Sequence, residues 1–294
     1  MKERPSYADL PPEFSSRKAA RIAVVPVPYD GTSTWRKGAD RGPAALIEAS
    51  RHLELYDIET DGEVYRNGIF TDRPVGGLST PESMAAAVHR RVSDHLAADR
   101  FVVLVGGEHS VTVGSVKAHA EKYPDLSVLQ LDAHADLRPE YRGSRLNHAC
   151  VMARVREICP AVQVGIRSMD ASERPRLRCD RTFLAADIAD PDSRSGWMRK
   201  AIDGLTDRVY LTVDLDVFDP SVMPSTGTPE PGGLSWYTVL RLLRLLTEKK
   251  TLVGFDVVEL CPPERPGAPE FLAAKLVYKI LGYRFGKAGA NGRD

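Results

Sequence analysis

Short apolar stretches alternate along the chain with longer segments whose apolar residues recur at helical spacing. The apolar stretches have the length of strands and contain many β-branched residues, and they lie at 21–27, 101–105, 126–131, 209–213 and 251–258. The amphipathic segments predict one helix that opens at Gly42-Pro43 and others over 82–98, 111–123 and 235–249. Strands that are apolar on both faces and alternate with helices are typical of a mostly parallel sheet covered on both sides. The pattern therefore predicts an α/β fold.

The length and composition are those of an ordinary folded protein, because 43% of the 294 residues are hydrophobic and 27% are charged. No internal repeat and no linker rich in glycine and serine divides the chain. We therefore predict one domain over residues 1–294, in which residues 1–20 form a polar N-terminal arm.

The charge balance and the absence of targeting signals indicate which binding partners and which cellular compartment to expect. Forty basic residues balance forty acidic ones without clustering, so we expect neither nucleic acid nor a membrane as a partner. No apolar run approaches the ~20 residues of a membrane-spanning helix, and the N-terminus leads into no apolar signal-peptide core. The cysteines form no CxxC pair and are expected to be free thiols: Cys150, Cys159, Cys179 and Cys261. We expect a cytoplasmic protein.

Three side chains that can bind metal follow the strand predicted at 126–131. Asp132, His134 and Asp136 recur at every second position, and alternate side chains of extended backbone point the same way. The alanines between them leave room for an ion. Open parallel sheets place their ligand sites at the carboxyl ends of strands, so we interpret this cluster as a metal site rather than a solvated acidic turn.

The strand predicted at 209–213 ends in the same way, with Asp214 and Asp216 on one side. An EF-hand loop is excluded, because the sixth position is Asp219 where that loop needs a glycine. We interpret Asp219, which precedes Pro220, as a turn residue rather than a ligand.

A third strand, at 101–105, runs into Gly106-Gly107-Glu108-His109-Ser110 and delivers His109 to the same edge of the sheet. These glycines do not form the GxGxxG fingerprint of a dinucleotide site.

Together the three strand ends offer four aspartates and two histidines. Four negative charges are more than one divalent ion requires and suit two ions. A set dominated by oxygen donors favours manganese over a tetrahedral zinc pair, although zinc, cobalt, nickel and iron stay open as alternatives. Two neighbouring ions lower the pKa of a shared water, so that it is nucleophilic at neutral pH. The implied reaction is hydrolysis.

These motifs resemble the three signatures of the ureohydrolase family, which contains arginase and agmatinase. The resemblance rests on Gly106 to Ser110, Asp132-Ala133-His134-Ala135-Asp136 and the segment from Asp214 to Pro220, in the family's order, and extends from about Ile22 to about Tyr283. It implies an arginase-like three-layer α/β/α sandwich that hydrolyses a guanidino group to urea and an amine with two Mn²⁺ per subunit. It also implies a homo-oligomer, a trimer or a hexamer.

The resemblance further implies roles for single residues. One manganese would be bound by His109 and Asp136, the other by His134 and Asp216, and both would be bridged by Asp132 and Asp214. The catalytic residues would be Asp136, His148 and Glu259, with His148 as a proton shuttle and Glu259 as the group that binds the guanidinium.

Physical chemistry supports the last two assignments. A guanidinium is planar and always cationic, so a carboxylate such as that of Glu259, at the end of a predicted strand, suits it. The leaving amine must be protonated, which is a task for a group that titrates near neutrality, such as His148.

The segment around His148 reduces the number of candidate substrates. Arginase-like members carry a serine and asparagine pattern around a His-Gly dipeptide, whereas this chain has Asn147-His148-Ala149. The chain resembles the agmatinase branch, whose substrate is agmatine and whose products are putrescine and urea. Candidates for contacts with the cationic end of the substrate are Glu140 and Asp170. Thr226 or Thr228 could hydrogen-bond a substrate nitrogen or a metal-bound water, although a rigid turn is the favoured interpretation of their loop. Asp170 is equally suited to cap a helix.

Other specificities stay open: aminopropylagmatine, guanidinobutyrate, arginine and formiminoglutamate. An anionic substrate would need a basic contact, for which Arg142 and Arg145 are available. Two further classes are a metal-dependent deacetylase and a non-catalytic family member. The complete set of ligands speaks against both.

Overall fold

A computed structural model describes residues 5–77, 79–190 and 196–286. In this part of the chain one sheet contains eight strands, and every neighbouring pair is parallel. The strands are β1 (Ile22–Val27), β2 (Ile69–Thr71), β3 (Phe101–Gly106), β4 (Leu126–Leu131), β5 (Ala161–Ile166), β6 (Thr182–Leu184), β7 (Arg208–Asp214) and β8 (Thr251–Val258). Their order across the sheet is β2-β1-β3-β8-β7-β4-β5-β6.

Helices cover both faces of this sheet. They are α1 (Pro12–Ser15), α2 (Gly42–Ser50), α3 (Pro81–Ala97), α4 (Thr112–Lys122), α5 (Val151–Ile158), α6 (Ala185–Ala189), α7 (Trp197–Asp203), α8 (Trp236–Lys249) and α9 (Ala268–Phe285). Short 3-10 turns occur at Tyr7–Asp9, Ala39–Arg41, Val64–Asn67, His109–Val111, His148–Cys150, Ala171–Arg176 and Leu215–Val217. None of the helices in the described ranges is long and apolar enough to cross a bilayer.

Alternate side chains of the strands enter different cores, as a pleated strand requires. Val103 of β3 packs in the core formed with α2, α8 and α9, whereas its neighbours Val102 and Leu104 pack in the core formed with α3. Helices α4 and α5 cover the same face farther along the sheet, over β4 and β5. The predicted three-layer α/β/α sandwich is confirmed, and its sheet is entirely parallel within the described residues.

The five predicted strands and four predicted helices are present, with ends that differ by one or two residues. The sequence analysis did not identify β2, β5, β6 or the 18-residue helix α9. Helix α9 is enclosed on nearly all sides and buries even Glu270 and Lys279. It therefore lacks the polar stripe by which amphipathic periodicity is detected.

The predicted N-terminal arm packs onto the rest of the molecule from residue 5 onward, and residues 1–4 lie outside the described residues. Tyr7 is fully buried, and its hydroxyl donates to the carbonyl of Ala274 in α9 at 2.8 Å. Its backbone N–H donates to Oγ1 of Thr71 at 2.8 Å. The segment is thus anchored by an aromatic side chain.

Candidate metal centre and active site

Four neighbouring strands, in the order β3-β8-β7-β4, end at the same edge in the middle of the sheet. Each of them delivers predicted site residues there. His109 follows β3, Asp132, His134 and Asp136 follow β4, Asp214 and Asp216 lie at the end of β7, and Glu259 follows β8. The parallel arrangement therefore brings together residues that are up to 150 positions apart in the chain.

The first group of side chains surrounds His109, which is 1% exposed. Its Nδ1 lies 3.1 Å from Oδ2 of Asp132, 3.1 Å from Oδ2 of Asp136 and 3.5 Å from Oδ2 of Asp214. The ligand atoms of His109, Asp132 and Asp214 lie within 4.8 Å of one another, as ligands of one ion would, and Asp136 contacts the same nitrogen.

The second group surrounds His134, whose side chain is one quarter exposed. Its Nδ1 lies 2.9 Å from Oδ2 of Asp216 and 3.6 Å from Oδ1 of Asp132. Asp132 therefore directs one oxygen toward each histidine and belongs to both groups. Asp214 lies within ligand distance of the His109 group, and its predicted bridging role stays a prediction.

The surroundings of His109 favour positive charge beside its Nδ1. The hydroxyl of Thr212 donates to Oδ1 of Asp256 at 2.6 Å, so its lone pair must accept from Nε2 of His109, 2.9 Å away. Nε2 of the ring then carries a proton, and the buried Nδ1 has no hydrogen-bond partner among the described residues. Burial lowers the pKa of His109, but Asp132 and Asp136 outweigh it and raise this pKa well above its ordinary value. The carboxylates around Nδ1 thus favour positive charge at this point, which a cation would supply when it replaces the proton on Nδ1.

The charges lead to the same conclusion. Burial, and then the charges of Asp216 and Asp132, raise the pKa of Asp214 well above its ordinary value. Burial and Asp132 raise the pKa of Asp136 to about 7. No lysine or arginine in the described ranges forms an ion pair with the four aspartates. The donor set therefore fits two divalent cations, which would supply the missing positive charge.

Backbone and side-chain donors hold the carboxylates in place. Asp132 accepts from the backbone N–H of His134 at 2.6 Å and from Nε2 of Gln130 at 2.6 Å. Asp216 accepts from the N–H of Ala133 at 3.0 Å, and Asp214 accepts from the N–H of Asp216 at 2.9 Å. The strand ends thus preorganise the ligand oxygens.

Two predicted site residues have left-handed backbone conformations, which are rare outside glycine. Asp136 has φ +53° and Glu259 has φ +65°. Such residues cost about 1–3 kcal/mol each and are concentrated at functional sites.

Most of the predicted site residues line one cavity of about 300 Å³. They are His109, His134, Asp136, His148, Asp170, Asp214, Thr228 and Glu259. Asp132 and Asp216 are buried beneath it. Glu140, Arg142 and Arg145 are not among its lining residues in the described chain, and Arg145 pairs with Glu157 at 2.9 Å.

Glu259 lies deep in this cavity. Its Oε1 accepts from the backbone N–H of His109 at 2.7 Å. Burial, and then the charge of Glu108, raise the pKa of Glu259 to about 8. A cation bound beside it would remove this penalty, which is the property expected of a group that binds a guanidinium.

His148 lies at the wall of the cavity. Burial, followed by the charges of His134 and His109, lowers the pKa of His148 to about 4, below the near-neutral value that the sequence analysis expected for this residue. Its Nδ1 is 3.1 Å from Oγ1 of Thr32, a residue that the sequence analysis did not identify.

Asp170 performs the capping role that the sequence also allowed. Its Oδ1 accepts from the N–H and hydroxyl of Ser172 at 3.0 and 2.6 Å, and its Oδ2 is 3.4 Å from Nη2 of Arg138. Asp219 is the predicted turn residue, because its Oδ2 accepts from the N–H groups of Gly232 and Gly233. Thr226 is buried, and its hydroxyl has no hydrogen-bond partner in the described chain.

Several other cavity residues were missed because no local pattern marks them. Trp35, which is 81% exposed, and Arg36 come from the loop after β1. Arg138 and Tyr141 belong to the long coil before His148. That coil was recognisable by its length alone, since long loops in compact domains are usually functional.

A family model described as "Arginase family" matches residues 20–282, which is most of the chain. The chain belongs to the arginase family. This arginase-family protein is 40% identical to an N(1)-aminopropylagmatine ureohydrolase of Synechocystis sp. over 95% of this chain and 90% of the relative. It is 42% identical to an N(1)-aminopropylagmatine ureohydrolase of Thermus thermophilus over 94% of each chain.

A solved structure of a ureohydrolase is also similar to this chain. The agmatine ureohydrolase of Thermoplasma volcanium superposes with a TM-score of 0.84 and 29% identity, over 99% of this chain and 97% of that one. The predicted family and fold are confirmed, and the protein is an enzyme of the ureohydrolase type.

Proposed function

We propose that this ureohydrolase hydrolyses a guanidino compound to urea and an amine with two Mn²⁺. His109 and Asp136 would hold one ion, His134 and Asp216 would hold the other, and Asp132 and Asp214 are the carboxylates expected to serve both. The observation that carries the proposal is the unpaired Nδ1 of His109, which faces three carboxylates, beside a second group that shares Asp132.

When bound, the two cations supply the activation of water for attack at neutral pH. Glu259 binds and orients the guanidinium, because its buried carboxylate lies in the same cavity and forms no ion pair with a lysine or arginine among the described residues. Its left-handed backbone ends the extended course of β8 directly after Val258. The substrate is thereby held at the ligand end of the sheet.

His148 transfers a proton from the attacking water to the leaving amine. Water provides the urea oxygen, the bond between the guanidino carbon and the alkyl nitrogen breaks, and both water protons end on the leaving amine. His148 is a neutral imidazole at the cavity wall, so it can accept a proton and return it to that nitrogen.

We propose N(1)-aminopropylagmatine as the substrate and agmatine, which the sequence analysis favoured, as the second candidate. The first is supported by the relatives of 40% and 42% identity that bear this name. The second is supported by the similarity to an agmatine ureohydrolase. The exposed ring of Trp35 at the cavity suits a long tail that carries ammonium groups, because aromatic faces attract cations.

Urea release tests the proposal. The manganese-loaded protein is incubated in parallel with N(1)-aminopropylagmatine, agmatine, arginine and guanidinobutyrate. We expect the highest kcat/KM with N(1)-aminopropylagmatine. Cleavage of an acetylated amine without urea from any guanidine would refute the proposed reaction, and a preference for agmatine would favour the second candidate.

We further propose a cytoplasmic homo-oligomer, a trimer or a hexamer. Free thiols at all four cysteines fit a reducing compartment. The exposed apolar side chains of Ile58 and Tyr237 offer surface for contacts between subunits. Sedimentation of the purified protein tests the assembly, and a monomer at micromolar concentration would contradict it.

A further inference from the structure

Glu108 belongs to the motif of His109, but no role in metal binding falls to it. It is fully buried, and its two oxygens accept four hydrogen bonds. Oε1 accepts from the hydroxyls of Thr32 at 2.5 Å and Ser110 at 2.6 Å. Oε2 accepts from the N–H groups of Thr32 at 2.5 Å and Ser33 at 2.9 Å. The carboxylate thus holds the loop after β1 against the end of β3.

The hydroxyl of Thr32 connects this carboxylate to His148. A hydroxyl carries one proton, and Thr32 donates it to Glu108. Its oxygen must therefore act as an acceptor toward His148. It accepts from the backbone N–H of His148 at 2.9 Å and lies 3.1 Å from Nδ1 of the ring.

The proton count determines the tautomer of the histidine. Because the Thr32 oxygen can only accept, Nδ1 of His148 carries the ring proton, and Nε2 keeps its lone pair. Nε2 forms no hydrogen bond with any group in the described part of the chain, while the ring lines the cavity. The free lone pair is the one a proton shuttle needs.

We propose that Glu108 and Thr32 are positioning residues for His148: they fix its tautomer and ring orientation through the chain Glu108–Thr32–His148. Two contacts to one oxygen, from the backbone and from the ring, restrain rotation of the ring. The catalytic consequence rests on the proposed function, whereas the tautomer is a property of the protein itself.

Thr32→Val tests the catalytic consequence, because valine keeps the shape and removes the hydroxyl. We expect kcat for urea release to fall roughly 10- to 100-fold, which is part of the 10²–10⁴ that acid–base catalysis supplies. KM and manganese content should stay unchanged. Thr32→Ser should restore most of kcat. Ser110→Ala is the matched control, because it removes one donor from the same carboxylate and leaves the link to His148 intact.

A double-mutant cycle distinguishes positioning from a general disturbance of the loop. In a His148→Ala background, Thr32→Val should change kcat less than about threefold, because residues that act as a unit are not additive. Equal losses in both backgrounds would overturn the proposal. A rise in KM with kcat retained would also overturn it, since Thr32 would then affect substrate binding, which is the role proposed for Glu259, and not proton transfer.

The tautomer can be measured without any substrate. In protein labelled with ¹⁵N-histidine, two-bond ¹H–¹⁵N correlations report which ring nitrogen is protonated, and comparison with His148→Gln assigns the signal. We expect the Nδ1–H form in the wild type and its loss in Thr32→Val. An Nε2–H form in the wild type would overturn the proposal even if urea release were normal. Absence of urea from every guanidine would instead refute the proposed function.

Discussion

The aspartates that follow β4 and β7 are suited to bind metal but destabilise the metal-free fold. Asp136 and Asp214 are buried beside other carboxylates, and burial followed by repulsion from those carboxylates raises their pKa and disfavours their ionised forms. A group whose folded pKa is raised destabilises the fold as pH rises above its unfolded pKa, which is ~3.9 for aspartate. Without metal at neutral pH, these ligands therefore lower the free energy of unfolding.

Asp214→Asn should consequently raise the stability of the metal-free protein and lower its metal binding. We expect the metal-free variant to melt at a higher temperature than the metal-free wild type at pH 7, because one repelling charge is removed while the amide oxygen can still accept from the N–H of Asp216. The difference should shrink toward pH 4, where the carboxyl of the wild type is protonated. Urea release and manganese stoichiometry should both fall.

Differential scanning calorimetry and metal analysis provide these measurements. Asp203→Asn is the control, because this aspartate is exposed at the end of α7. Full activity of Asp214→Asn with two bound ions would contradict the assigned role.

Glu259→Gln tests the group proposed to bind the guanidinium. Glutamine keeps the oxygen that accepts from the N–H of His109 but loses the charge. Removing one partner of a buried charge pair costs roughly 3–5 kcal/mol. We therefore expect kcat/KM to fall at least about 100-fold with manganese content unchanged, measured by steady-state kinetics and metal analysis. An unaltered kcat/KM in the fully loaded variant would exclude this role.

At the scale of elements, the packing of β3 against β1 depends on Gly107. A Cβ built on this glycine would lie 1.9 Å from the carbonyl oxygen of Tyr29. The same stretch forms hydrogen bonds from the N–H of Gly107 to Val27 and from that of Glu108 to Tyr29. The close approach of backbones places Glu108 and His109 at the edge of the sheet.

Gly107→Ala should therefore destabilise the protein and disturb the site together. Overpacking costs roughly 1–3 kcal/mol, and here the obstructing atom is backbone, which cannot rotate away. We expect a lower midpoint of urea denaturation and a loss of manganese binding. Gly76→Ala is the matched control, because nothing lies within 4 Å of a Cβ at that position. Equal midpoints for the two variants would contradict the argument.

At the scale of the whole molecule, the metal site joins four strands that are distant in sequence. Ions that bind the folded chain but not the unfolded one stabilise it by about 2.7 kcal/mol per site at a concentration 100-fold above Kd. Removal of metal with EDTA should therefore lower the melting temperature by at least about 5 °C, given roughly 2–4 °C per kcal/mol for domains of 150–250 residues. Added Mn²⁺ should restore it in the wild type and less in Asp214→Asn. A melting temperature indifferent to Mn²⁺ would contradict the proposed site.

The sequence by itself determined the three-layer α/β class, five of the eight strands in the described sheet and the candidate ligands, because these depend on local periodicity and on residues that follow directly after a strand. It identified Asp132, His134 and Asp136 from alternation alone. It did not identify α9 or the strands β2, β5 and β6. Helix α9 is enclosed on nearly all sides, β2 and β6 have three residues each, and Gln163 and Gly165 interrupt the apolar run of β5.

Only the tertiary structure decided the order of the strands, which inserts β8 between β3 and β7 and thereby places Glu259 beside His109. It also decided the contacts of Thr32 with Glu108 and His148, which are 76 and 116 residues away. A short stretch of sequence contains no information on which strand ends become neighbours in the sheet. That arrangement follows from the packing of the whole sheet between its helices.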